Sequence, residues 1–109
     1  MAKQYNFQTF RGDTFEFELR VNGLDDAFDS VDFTVKGKYV DNFTIIHKDL
    51  SDGITYNSET GNYLVVCNPE DTNDVTPGAY VYDVQVSTDG MVYTVLYGKL
   101  NIKEDVTRG

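Results

Sequence analysis

The sequence is poor in the residues that build most catalytic, cross-linked and metal-bound sites. Its 109 residues include one cysteine, one histidine, two prolines and no tryptophan. The lone cysteine, Cys67, excludes a disulfide within the chain, and its apolar neighbours predict a buried, inert thiol. The lone histidine, His47, does not by itself supply a histidine-based zinc site or a proton relay, and a half-exposed strand residue is predicted. With no catalytic constellation visible, we expect a protein that is not an enzyme and that binds no cofactor or metal.

The sequence also lacks long apolar segments and has little positive charge. Its first ten residues contain no apolar core of a signal peptide, and no run approaches the roughly 18 apolar residues of a membrane span. Lysine and arginine total 9 against 18 for aspartate and glutamate, a formal charge of −9. Because an acidic surface repels phosphate backbones and anionic lipids, neither nucleic acid nor a membrane is an expected partner. Synthesis and folding in a cytoplasm are predicted.

What the sequence does contain is a repeated alternation of apolar and polar residues, the pattern of half-buried strands. The alternating or β-rich segments are Gln4–Phe10, Thr14–Asn22, Asp29–Lys38, Val40–His47, Ile54–Tyr56, Asn62–Cys67 and Pro77–Ile102. Phe17 and Phe33 lie at the centres of the two clearest alternations and are predicted core residues. Seven to eight short strands predict one all-β domain over 1–109, an immunoglobulin-like antiparallel β-sandwich with a charged tail at 103–109. A small closed barrel is the alternative.

The longest β-rich segment, Pro77–Ile102, predicts a hairpin that turns at Asp89-Gly90. Its second strand carries two apolar sets on opposite faces, one of Val92, Leu96, Leu100 and Ile102, the other of Tyr93, Val95 and Tyr97. A three-residue loop, Thr88–Gly90, would put Val92 and Leu96 beside the apolar face of the preceding strand, and it is favoured because Leu100 and Ile102 extend that set. A two- or four-residue loop, or a bulge at Gly98, is the alternative. Either way one set lies off the core, and a docking surface of Val81, Tyr93, Val95 and Tyr97 is predicted.

The remaining motifs are interpreted as structural. The tripeptide Arg11-Gly12-Asp13 matches an integrin-adhesion motif, but its position between two predicted strands favours a turn. Acidic residues gather in loops without the spacing of a calcium-binding loop, so solvated charge is expected and calcium binding stays open. The loop clusters are Asp25/Asp26/Asp29, Asp49/Asp52 and Glu70/Asp71/Asp74. The one helix-compatible stretch, Pro69–Asp74, is predicted to form a single turn capped by Asn68.

Two parts of the sequence resemble a known group of proteins. The segment Phe10–Phe17, FRGDTFEF, resembles the opening hairpin of small β-sandwich domains in tailed-bacteriophage virion proteins. A second group of segments resembles the closing strands of the same domains, namely Tyr80–Val86, Gly90, Thr94, Gly98–Ile102 and Asp105–Arg108. The nearest family is the N-terminal domain of the baseplate upper protein family. Because that family continues into a receptor-binding or trimerising region, this chain is expected to be either an accessory protein or one excised domain.

The resemblance implies a non-enzymatic structural protein of a phage tail, baseplate or capsid. Such a protein docks onto other virion proteins, and a second copy of this chain is a further candidate partner. The implied location is the virion, after assembly in the host bacterial cytoplasm. The family supplies no catalytic residues to carry over. Two other hypotheses stay open: a carbohydrate- or host-surface-binding module of the same fold, which exposed aromatic residues beside Asp/Asn loops would favour, and an enzyme.

Overall fold

The computed structural model describes residues 2–20, 28–38 and 44–104, and this part of the chain is built almost entirely of strands. The strands are β1 (Lys3–Gln4), β2 (Phe7–Phe10), β3 (Phe15–Leu19), β4 (Ser30–Lys36), β5 (Thr44–Lys48), β6 (Ile54–Asn57), β7 (Asn62–Cys67), β8 (Gly78–Thr88) and β9 (Met91–Lys103). One helical turn, α1 (Pro69–Thr72), follows β7 and has the predicted cap, Asn68. The Asn68 N–H donates to Asp71 Oδ2 at 2.7 Å, which fixes the start of the turn.

The strands form two separate sheets that pack face to face. The larger sheet has the order β1-β9-β8-β4-β5, with β2 following β1 along the same side of β9, and the smaller sheet has the order β3-β7-β6. All pairings are antiparallel except those of β1 and β2 with β9. The fold is therefore an all-β, immunoglobulin-like sandwich rather than a closed barrel, and the predicted fold class is confirmed.

The core lies between the sheets and follows the alternation of the sequence. Phe33 is fully buried, as predicted, and it packs among inward-facing side chains of both sheets. Phe17 is only half-buried, so the prediction of a core residue is only partly correct there. Its ring contacts the core through Phe33, at 5.4 Å between ring centroids, while the space beside it is open.

The β8–β9 hairpin differs from the favoured prediction. Thr88 pairs directly with Met91, so the loop has two residues, Asp89 and Gly90, both with positive φ (51° and 79°), as in a type I′ turn. The favoured three-residue loop is therefore wrong. Farther along β9 the register shifts by one residue, and Val95 is the extra residue of a β-bulge.

The bulge reverses which face of β9 is buried. Because of it, Val95 turns into the core beside β8, and Leu100 and Ile102 beyond it are also buried. Val92, on the other side of the bulge, is exposed although it was predicted to share a face with them. Each predicted apolar set is thus divided between the two faces.

The N-terminal strand depends on a close approach to β9 at Gly98. β1 and β2 keep one register against β9, and the two residues between them, Tyr5 and Asn6, pass Gly98 and Lys99. The Lys99 N–H donates to Asn6 Oδ1 at 3.0 Å, and the Tyr82 hydroxyl donates to the Tyr5 carbonyl at 2.5 Å. A Cβ at Gly98 would lie 2.1 Å from that carbonyl oxygen, so only glycine fits here.

The Arg11-Gly12-Asp13 segment is the predicted turn, between β2 and β3. Gly12 has a φ of 81° and is buried, and its N–H donates to Thr72 Oγ1 of α1 at 2.8 Å. This hydrogen bond therefore fixes the turn to α1, although Gly12 and Thr72 are 60 residues apart in the sequence. This placement supports a structural role for the motif.

Some predictions fall on residues outside the described ranges, namely those for Val21, Asp25, Asp26, Val40, Phe43 and the tail from Asp105. Lys103, where the tail was predicted to begin, is instead the last residue of β9 and pairs with Phe10. Within the described ranges, no helix is long and apolar enough to cross a lipid bilayer.

Replacing Gly98 tests the close approach, and Gly78 provides a matched control. The two glycines have nearly the same φ, 157° and 159°, but a Cβ at Gly78 would meet no atom within 4 Å. We expect Gly98→Ala to lower the free energy of unfolding by about 1–3 kcal/mol, because β1 must move away from β9. Gly78→Ala should cost less than about 1 kcal/mol in the same urea titration. Equal losses would contradict a steric role for Gly98.

Candidate docking surface

The outer face of the larger sheet carries a row of side chains that crosses four neighbouring strands. Tyr97 on β9 lies opposite Asp83 on β8. Asp83 lies in turn opposite Thr34 on β4, and Thr34 opposite His47 on β5. Directly opposed residues point to the same side of a sheet, with Cβ atoms about 5 Å apart. We call this row, together with the flanking Lys36, Val81 and Gln85, the Asp83 face.

The centre of the Asp83 face holds a carboxylate that is poorly hydrated. Asp83 is half-buried, and burial raises its pKa above the ordinary aspartate value, while the charge of Lys36 acts in the opposite direction. An open pocket of about 200 Å³ surrounds it, lined by Thr34, Lys36, Val81, Tyr82, Asp83 and Gln85. A partly desolvated carboxylate is destabilising unless a donor reaches it, so this position is a candidate contact for a partner.

The structure brings together only two of the four predicted docking residues. Tyr97 is 36% exposed and Val81 is half-buried, and both lie on the Asp83 face. Val95 is 7% exposed and belongs to the core, so it does not form part of a docking surface. Tyr93 pairs with buried Val86, packs against the core and donates its hydroxyl to Met91 Sδ. The β-bulge, which the alternation did not reveal, causes this separation.

The residue that the sequence interpretation missed on this surface is Asp83. The available signal was a charged residue at the centre of a strand, between the apolar residues Tyr82 and Val84. The alternation along this strand puts Asp83 on the face opposite to the buried Tyr82 and Val84, which is the outer face of β8. It did not show that strands on both sides would partly cover the carboxylate, because that depends on cross-strand neighbours.

A second polar cluster lies at the β5 end of the same face. His47 Nε2 is 2.9 Å from Asp32 Oδ1, and His47 Nδ1 is 4.0 Å from Asp49 Oδ2. Their ligand atoms lie within 4.8 Å of one another, and His47 is exposed, slightly more than predicted. Asp32 lies on β4 and His47 on β5, so their contact joins these two strands.

A buried lysine forms a close ion pair with an aspartate of α1. Lys48 is 5% exposed, and its Nζ lies 2.9 Å from Asp71 Oδ2 of α1 and 3.7 Å from Asp52 Oδ1. Burial lowers the pKa of Lys48, but the hydrogen bond and charge of Asp71, with the charge of Asp52, outweigh it and raise the pKa above its ordinary value. The pair joins β5 to α1.

The thiol of Cys67 is buried near this pair, as predicted, and it is unreactive. The side chain is 1% exposed. Burial raises its pKa to about 12, with a smaller contribution in the same direction from the charge of Asp71. Because the thiolate is the nucleophilic form, the site provides no activated cysteine at neutral pH.

The comparisons with known proteins concern the fold. No protein-family profile and no curated protein matches this sequence. The structure is similar to NK cell receptor Nkp44, a triggering partner in natural cytotoxicity, with a TM-score of 0.58 and 13% identity over 94% of this chain and 100% of that one. It is also similar to the extracellular domain of the voltage-gated sodium channel β4 subunit, with a TM-score of 0.50 and 11% identity over 97% and 96%. The extracellular domain of that channel subunit forms parallel homodimers that explain its role in cell–cell adhesion. InlP of Listeria monocytogenes has a TM-score of 0.46 and 20% identity over 95% of this chain and 28% of InlP.

Removal of the Asp71 charge should show how much the buried lysine depends on it. Asp71→Asn leaves Lys48 without its close counter-ion and weakens the start of α1, so we expect a loss of about 3 kcal/mol in unfolding free energy. Asp52→Asn is the matched control, because Asp52 is 70% exposed and more distant, and it should cost less than about 1 kcal/mol. Similar losses in chemical denaturation would contradict this assignment.

The raised pKa of Lys48 means that the contribution of the pair is complete below about pH 10.4 and is lost as pH rises through the folded-state pKa.

The cost of placing a carboxylate at position 83 predicts a stabilising substitution. A carboxyl group with a raised folded-state pKa binds more protons in the folded than in the unfolded chain, so its ionisation reduces stability. We expect Asp83→Asn to be more stable than the parent at pH 7, and the difference should widen as pH rises through the ordinary aspartate pKa of about 3.9. The exposed Glu16→Gln serves as a control. A destabilised Asp83→Asn protein at pH 7 would show that the carboxylate is stabilising in the isolated fold.

Proposed function

We propose that this protein is a non-enzymatic structural component of a tailed-bacteriophage virion, in the tail, baseplate or capsid, which docks onto another virion protein through the Asp83 face. The observation that carries the docking step is the half-buried Asp83 carboxylate, which lines an open pocket on the outer face of the larger sheet. The virion assignment rests on the resemblance of the FRGDTFEF segment and of the closing strands to baseplate upper proteins. The immunoglobulin-like fold is compatible with the virion assignment, and the strand order that defines the fold is independent of that resemblance.

The chemistry of the Asp83 face indicates what its partner should supply. Asp83 needs a hydrogen-bond donor, and an arginine is suited to it because its guanidinium binds a carboxylate through two parallel hydrogen bonds. Tyr97, next to Asp83, gives a partner an aromatic surface with a polar end. The formal charge of −9 also favours a basic partner surface over a second copy of this chain.

Similar folds use their surfaces for recognition, which supports a binding role over catalysis. The receptor Nkp44 and the sodium channel β4 domain are described as a cytotoxicity trigger and a cell-adhesion dimer. We propose that this chain is likewise a recognition module, assembled in the host cytoplasm and located in the virion. Its buried thiol and its exposed histidine between two carboxylates do not form a nucleophile and base pair.

A carbohydrate- or host-surface-binding module is the second candidate. It is favoured by an open groove of about 440 Å³ on the smaller sheet, lined by Glu18, Thr55, Tyr56, Asn57, Ser58, Glu59, Thr60, Asn62 and Leu64. Asn62 Oδ1 is buried there without a hydrogen-bond partner in the described chain. Hydroxyl, amide and carboxylate groups of this kind suit a polyhydroxyl ligand. The two candidates use different faces and are separable by mutation.

Incorporation into phage particles tests the proposed function. In particles produced from a genome that encodes the chain, we expect the protein to co-purify through a density gradient and to be detected by mass spectrometry. Asp83→Arg should fold and yet lose incorporation by roughly tenfold or more, because a like charge meets the partner's cation. Glu59→Arg, on the smaller sheet, is the matched charge control and should be incorporated normally. Absence of the parent protein from purified particles would contradict the virion assignment, and normal incorporation of Asp83→Arg would contradict the docking face.

A further inference from the structure

One side of the sandwich is open where the two sheets meet. β1 and β2 lie at the edge of the larger sheet, and β3 is an edge strand of the smaller one. A cleft of about 380 Å³ lies between these edges. Its lining consists of Lys3, Tyr5, Phe7, Phe17, Glu18, Leu19, Arg20 and Leu96. We call this the β3 cleft.

The apolar residues of the β3 cleft belong to the inner faces of the two sheets. Phe7 lies opposite buried Leu100, and Phe17 opposite buried Val65. Their rings contact each other at 4.7 Å between centroids, yet both remain half-buried, and the neighbouring Tyr5 is 53% exposed. Protein interiors are normally packed without openings of this size. Apolar atoms from outside the described fold would therefore be buried favourably here.

The backbone of β3 is also available for pairing. In the described part of the chain β3 pairs with β7 alone, and no other backbone hydrogen bond involves Phe15–Leu19. Half of the N–H and C=O groups of an edge strand point away from its neighbour, and such an edge is a template for another strand. Strand addition at a free edge is a common mode of peptide recognition.

The outward side chains along this edge carry an ordered charge pattern. Glu16 and Glu18 point outward from β3, and Arg20 follows in the same alternation, all three exposed. Opposite charges directly across two strands are stabilising, and like charges are destabilising. Antiparallel pairing of β3 with a second copy, centred on Phe17, would put Glu16 against Glu18 and join two chains of charge −9. Self-pairing in that register is unfavourable, and in any register it brings together two chains of like net charge, which disfavours a second copy.

We propose that the free edge of β3 is a strand-acceptor site for an extended segment of another protein. The segment adds antiparallel to Phe15–Leu19 and buries alternate apolar side chains in the β3 cleft. Its outward residues are an acid opposite Arg20 and bases opposite Glu18 and Glu16. The site is separate from the Asp83 face, so it stands whether or not the proposed docking face is correct.

A designed peptide tests the site directly. The probe is acetyl-Glu-Val-Lys-Val-Lys-Val-amide, which places its charges as the pattern of β3 requires. In ¹H–¹⁵N NMR titrations of the full chain, we expect peptide at about 1 mM to shift amide signals of Phe15–Leu19 and to slow hydrogen exchange along that strand. The charge-reversed peptide, acetyl-Lys-Val-Glu-Val-Glu-Val-amide, should bind at least fivefold more weakly. Absence of binding at that concentration, equal binding of both peptides, or shifts confined to other surfaces would overturn the proposal.

Substitutions that exchange the charge pattern give a reciprocal test. The double variant Glu16→Lys/Arg20→Glu should prefer the charge-reversed peptide, because its outward pattern is now partly inverted. Glu59→Lys repeats one of these two substitutions in the β6–β7 turn, away from the β3 edge, and should leave the original preference intact. Asp83→Asn should bind the probe as the parent does, which separates this site from the docking face. A double variant that folds but keeps the parent's preference would overturn strand addition at β3.

Discussion

The pairing of β9 on both of its sides is the constraint on which the rest of the structure depends. β9 is antiparallel to β8 on one side and parallel to the N-terminal strand on the other. The parallel pairing is possible only because Gly98 has no side chain to collide with the Tyr5 carbonyl. Once β1 and β2 are committed to β9 in the larger sheet, they are not available to the smaller sheet. Among the described residues, the unpaired edge of β3 and the cleft beside it follow from that commitment.

The bulge at Val95 has a comparable effect on the surface. A single extra residue moves Val95, Leu100 and Ile102 into the core and leaves the outer face of β8 and β9 mixed in character. The polar residues that remain partly buried are therefore informative. Lys48 has close counter-charges in Asp71 and Asp52 that outweigh its burial, whereas burial outweighs the charge of Lys36 at Asp83. A charged group that is partly buried outside the core, without a partner that compensates for its burial, is more typical of a recognition surface than of a contact that stabilises the fold.

The alternation of the sequence predicted the fold well but the surface poorly. The buried Phe33, the strand at Ile54–Tyr56, the buried Cys67, the single turn α1 and the turn at Gly12 were all predicted, because each depends on local pattern or turn chemistry. The burial of Val95, the half-exposure of Phe17 and the environment of Asp83 were not predicted. They depend on the β-bulge, on the β3 cleft and on cross-strand neighbours, respectively, and tertiary pairing sets all three. In the sequence, apolar residues on both faces of β9 were the only sign that its register was uncertain.

Docking through the Asp83 face, as proposed, should cover one tyrosine of this protein and leave another exposed, and the reactivity of these two tyrosines can be measured. Tyr97 on that face and Tyr56 on the smaller sheet are nearly equally exposed, at 36% and 37%. Hydroxyl-radical footprinting of the free protein and of the protein in purified phage particles measures how each is covered on assembly. We expect oxidation of Tyr97 to fall severalfold in the particle and that of Tyr56 to be unchanged. Unchanged oxidation of Tyr97, with or without protection of Tyr56, would contradict docking through the Asp83 face.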